Sequence, residues 1–161
     1  MDMLQHVRDL YTAGQMHDAL EAAQAACDRA PKDSEAWWLL GRVSRHAGLV
    51  AASDVAFERA ARLDQRFAMP HRVSAQRFRA LIEESRSALP EAPRRRLEGM
   101  VVRPESMPTA DEVAKGLDPD ALTRREQGPQ QVLVLFQVNH ENRSASESAL
   151  RTLIGHSLSQ A

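Results

Sequence analysis

Laid against itself with a shift of about 34 residues, the first half of this chain repeats. Met3 falls on Trp37, Gly14 on Gly48, Ala19 on Ser53, Ala23 on Phe57 and Ala26 on Ala60. A unit of that length cannot bury its apolar face alone, so neighbouring copies must stack to make a continuous core. Each copy reads as helix, glycine turn, helix: residues 2–13 and 16–30, then 34–47 and 50–64. Pro31 closes the first unit because proline cannot continue a helix interior, and Asp33 or Ser34 is placed to cap the next helix.

Residue sizes fit stacked helix pairs. Small Ala26 and Ala60 allow two helices to approach closely, while Trp37, Leu40 and Phe57 fill the gaps between them. The pattern AWWLLG…G…F..A over residues 36–60 resembles a tetratricopeptide repeat, and the first unit, with Ala23 in the bulky position, matches it less closely. In that family the first helix of each unit lines a concave groove that takes peptides or partner helices. By register the resemblance implies Arg8, Tyr11, Trp38, Arg42 and Arg45 as partner-binding residues. Arg42 and Arg45, at i and i+3, share a helix face suited to a carboxylate. The competing reading makes these arginines a solvated face and Trp38 a packing residue. Short stacks also need a cap over an exposed end, and a helix expected after residue 70 is the candidate.

LDQRFAMPHR, residues 63–72, ends the period, with Pro70 as the interruption. Beyond it a helix is expected over 72–88, with Phe78, Leu81, Ile82 and Leu89 on its apolar side and Pro90 as its stop. EAPRRRLEGMVVRPE suggests a helical turn and a short strand at 100–103, and PTADEVAKGLDPDALTRRE suggests short helices separated by Gly116 and Pro119. QVLVLFQV, residues 131–138, is a continuous apolar run rich in β-branched residues, as expected of a buried strand. His140 and Glu141 after it read as a polar turn. Ser144 with Glu147 is the expected capping box of a last helix whose apolar face carries Leu150, Leu153, Ile154 and Leu158.

This order of elements, with FRALIEESRSALPEAPRRRLEGMVV, GLDPDAL, VLVLF and ALRTLIGH, resembles the small zincin-like metallopeptidases of bacteria over residues 72–161. That family carries H-E-x-x-H on its final helix, where two imidazoles one turn apart bind zinc and the glutamate acts as general base. Here His156 stands at the first ligand, but Ser157 replaces the glutamate and Gln160 the second histidine. Without the carboxylate a metal-bound water has no base, and an amide oxygen is a poor zinc ligand. The resemblance therefore implies a retained fold without catalytic residues, metal or cofactor. The alternative is a metal-dependent peptidase with a site rearranged around His156 from His71, His140 and Glu141.

Charge and composition narrow the partners. With 21 basic and 22 acidic side chains the net charge is −1, which provides no field to hold nucleic acid or an anionic membrane. PRRRLE, the single basic cluster, has glutamates on either side and reads as a solvated turn. No apolar run approaches the roughly 18 residues that span a bilayer, and no apolar leader follows Met1, so a cytoplasmic location is expected. Cys27, the lone cysteine, sits in an alanine-rich helix as a packing residue.

The fold class expected is mixed: all-α tetratricopeptide-like repeats over 1–66, then a degenerate α+β zincin-like domain over 67–161. The expected function is a non-catalytic adaptor or regulatory subunit that binds a protein or peptide partner. It would use the repeat groove and the exposed edge of the 131–138 strand, with a homodimer through the end of the stack also open.

Overall fold

The structure, a computed structural model, describes residues 2–161. Four helices come first: α1 (Met3–Thr12), α2 (Met16–Arg29), α3 (Ser34–His46) and α4 (Val50–Leu63). Each packs on the one before it. Asp2 caps α1 by accepting the Leu4 amide, and Asp33 caps α3 by accepting the Glu35 and Ala36 amides. Gly14 and Gly48 make the two intra-pair turns at φ +80° and +82°, in the left-handed region that glycine enters without cost. The core between the helices contains Val7, Tyr11, Ala19, Ala23, Cys27, Leu39, Val43 and Ala56. Alanine on α2 thus meets larger side chains of α1 and α3, as the repeat register predicts.

The chain divides into two compact units. The first comprises Met1–Met69 together with Pro108–Pro119, and the second Pro70–Met107 with Asp120–Ala161. The sequence places its boundary at 66/67 and gives everything beyond it to one domain. The first unit instead recovers a segment from far down the chain, which contains the five-residue helix α7 (Ala110–Ala114).

In the second unit, α5 (Ala75–Ser87) and α6 (Glu91–Leu97) precede β1 (Val101–Glu105). There follow β2 (Thr123–Glu126), β3 (Val132–Phe136), α8 (Gln137–Asn142) and α9 (Glu147–Ser159). The strand order is β1-β3-β2, with β1 parallel and β2 antiparallel to β3. Phe78, Leu81 and Ile82 of α5 bury against Leu133 and Leu135 of β3 and Leu150, Ile154 and Leu158 of α9.

Several expectations change here. The helix after residue 70, α5, packs within the second unit. The 131–138 strand has no free edge, because β3 is central and its backbone is bonded on both sides; all five of its residues are buried. Thr123–Glu126 is a strand, not the end of a helical stretch. Residues 137–142 form a buried helix where a polar turn was expected. That helix moves the start of α9: Ser146 is its cap, accepting the Ala149 amide, while the Ser144 hydroxyl donates to the His140 carbonyl at 2.8 Å.

Candidate functional site

The first helices of the two pairs, α1 and α3, carry the residues predicted to meet a partner. Arg8 of α1 forms an ion pair with Glu35 of α3, both side chains partly exposed. Tyr11 is buried, with its ring edge-on to His46 at 5.3 Å between centroids and the Arg42 guanidinium 5.8 Å from its own centroid. Trp38 packs on Phe57 at 4.7 Å and on Phe67 at 5.3 Å. Arg42 and Arg45 are half-buried on α3. Arg8, Arg42 and Arg45 thus retain exposed surface, whereas Tyr11 is sealed and Trp38 is engaged with other aromatic rings.

The segment 108–119 accounts for part of that sealing. Val113 of α7 lies in one apolar cluster with Val7, Tyr11, Leu39 and Val43. The α7 backbone runs so close to the first turn that a β-carbon on Gly14 would stand 2.8 Å from the Ala110 carbonyl oxygen and 2.9 Å from the Ala114 nitrogen. At the far end of the segment the His46 ring Nε2–H donates to the Pro119 carbonyl at 3.0 Å. Thr109 and Glu112 close a capping box on α7, a signal visible in the sequence as T-x-x-E. The destination of the segment was not visible there.

The second predicted site does not assemble. His156 is exposed on α9, Ser157 is buried, and Gln160 is the exposed residue that caps the end of the helix. His140, fully buried, holds Ser157 instead: its Nδ1–H donates to the Phe136 carbonyl at 2.8 Å, and its Nε2 accepts the Ser157 hydroxyl at 2.8 Å. Burial pulls this imidazole down to about 4, the nearby Arg143 adds to the effect, and the Phe136 bond opposes it. A hydroxyl donating to an imidazole is the arrangement of a nucleophile and its base. Here both are shut away from solvent, and a base titrating near 4 is too weak to work at neutral pH.

Glu141 is also buried and fully engaged elsewhere. Its carboxylate accepts from the Val73 amide at 2.9 Å and Gln137 Nε2 at 3.1 Å, and pairs with Arg72 at 3.3 Å. His71 contributes a backbone hydrogen bond from its amide to the Ser144 carbonyl. Among the described residues, no group of three or more His, Cys, Asp and Glu side chains is placed to hold a metal ion. Cys27 is buried in the first unit, and its thiol is pushed up to about 12 by burial first and then by Asp28 and Asp33, the opposite of what a nucleophile needs.

Helix pairs stacked in register, with small residues between them and a glycine turn in each, have a recognised counterpart. Residues 4–53 match the tetratricopeptide repeat family. The tetratricopeptide match covers α1 to α3 and the start of α4, so it includes Arg8, Tyr11, Trp38, Arg42 and Arg45. It stops well short of the second unit. No curated protein and no solved structure matches the chain. Tetratricopeptide repeats mediate protein–protein interaction, through extended surfaces that stacked helix pairs create. Among the described residues no helix is long and apolar enough to cross a membrane.

Proposed function

We propose that this chain is a non-catalytic protein-interaction module whose tetratricopeptide face binds a segment of a partner protein. The observation that carries the reading is the match over residues 4–53, joined to a face on which Arg8, Arg42 and Arg45 keep exposed surface. Guanidinium groups on adjacent turns suit carboxylates, because each presents a planar fork of donors. The test is capture of a partner by the intact chain and by Arg42→Glu and Arg45→Glu variants, with circular dichroism to verify their helical content. Loss of the captured protein in the charge-reversed but folded variants is the expected result. Capture unchanged in both would refute the assignment of this face.

The second unit, in the same proposal, is a zincin-like fold that has lost its chemistry. An exposed His156, a Ser157 committed to His140 and a Gln160 that ends the helix support this reading. Metal content by elemental mass spectrometry tests it, on protein purified without a metal-binding tag. About one zinc per chain, lost in His156→Ala, would overturn the proposal and reinstate a hydrolase.

A further inference from the structure

Residues 108–119 lie between two strands of the second unit in the sequence, yet they pack as part of the first. They do so with features of a bound peptide. The segment makes one short helix, inserts one apolar side chain, Val113, at 1% exposure, and is closed at each end by a buried proline, Pro108 and Pro119. It carries Asp111, Glu112 and Asp118 against a single Lys115, and Lys115 already pairs with Asp111 at 2.9 Å. The helix it reaches through Pro119 presents Arg42, Arg45 and His46 within one turn. The segment is thus acidic by sequence, and its last residue meets a helix that carries two arginines.

The repeat register provides an internal comparison. Gly14 and Gly48 are equivalent turns with almost the same φ. A β-carbon at Gly48 would meet nothing within 4 Å, whereas at Gly14 it would collide with the α7 backbone. Only the first turn is covered by another stretch of backbone, so the segment marks a particular seat and not a general property of the repeat.

We infer that residues 108–119 are a built-in ligand of the tetratricopeptide face. The partner in trans would then be a protein segment of the same chemistry: acidic, forming a single helical turn, with one β-branched or similarly sized apolar anchor. The inference rests on the protein-binding reading above and adds what is bound and what it must displace. A segment tethered at both ends has an effective concentration on the order of 1 mM, so a free peptide of the same sequence with an intrinsic dissociation constant of about 0.1 mM would bind the native chain about tenfold more weakly than an unmasked one.

The experiment uses a fluorescently labelled peptide with the sequence of residues 108–119, PTADEVAKGLDP, in anisotropy titrations. It is titrated into the full native chain, into Val113→Asp, and into a full chain in which a glycine-serine linker of equal length replaces the segment. Binding to both altered chains at least fivefold tighter than to the native one is expected, and a Val113→Asp version of the peptide should bind none of them. Equal affinity for native and altered chains would overturn the inference, as would binding to neither altered chain. Loss of helical content in both altered chains would overturn it too, since the segment would then be an integral part of the repeat core. Failure of the partner capture above leaves these titrations informative, because the peptide comes from the chain itself.

Discussion

His140 is the residue whose chemistry is most changed by the fold. It is neutral, sealed and bonded at both ring nitrogens, and its affinity for a proton falls from the usual 6.5 to about 4. Because the folded value lies below the unfolded one, the unfolded chain takes up the proton first as pH falls. Stability contributed by the neutral ring is complete above about pH 6.5 and is lost as pH drops toward 4, on the order of 3 kcal/mol in all. Urea unfolding at pH 7, 5.5 and 4.5 should show a steeper loss for the native protein than for His140→Gln, and parallel losses would contradict the assignment. Gly41 offers a second test. Alanine in a helix is normally better than glycine by about 1 kcal/mol, but here a β-carbon would lie 2.6 Å from the buried Phe57 ring. Overpacking should win, so Gly41→Ala is expected to lower stability by about 1–2 kcal/mol and to reduce the melting temperature.

At the scale of elements, the paired glycine turns separate two effects. Gly48→Ala adds backbone strain alone, about 1 kcal/mol, since nothing faces the new carbon. Gly14→Ala adds the same strain and also drives against α7. Hydrogen exchange should therefore quicken at residues 110–117 in Gly14→Ala and not in Gly48→Ala, and equal protection in the two would argue against the close approach. The elements also show how far pattern reading reaches. Helices α1 to α4 were legible because each carries its own apolar period, turn glycine and, for α3, an aspartate cap. α8 was not legible: six residues give less than two turns of periodicity, and Asn139, His140 and Glu141 are buried polar residues held by bonds to the distant Ala121, Ser157, Val73 and Arg72. β2 was missed for a related reason, as Thr-Arg-Arg-Glu has no apolar alternation and becomes a strand by pairing with β3.

Across the whole molecule, the first unit is discontinuous in sequence, and its stability should reveal that. A chain ending at residue 69 lacks Val113, which is buried in the repeat core. Removing a buried valine forfeits about 1.5–3 kcal/mol, so residues 1–69 should remain helical at low temperature but melt several degrees below the corresponding transition of the full chain. Identical melting would mean that 108–119 adds nothing to the unit. The candidate site divides along the same line. Arg8, Trp38, Arg42 and Arg45 could be placed on their helices from register alone, whereas the covering of Tyr11 could not. The helix-pair period, its caps and turns and the apolar strand at 132–136 were determined by the sequence itself, because each is written in residues a few positions apart. The tertiary structure alone decided that β3 lies between two partners, that His140 turns to Ser157, and that 108–119 returns to the repeats. Those outcomes depend on which distant surface offers burial and hydrogen bonds, and no local pattern encodes that choice.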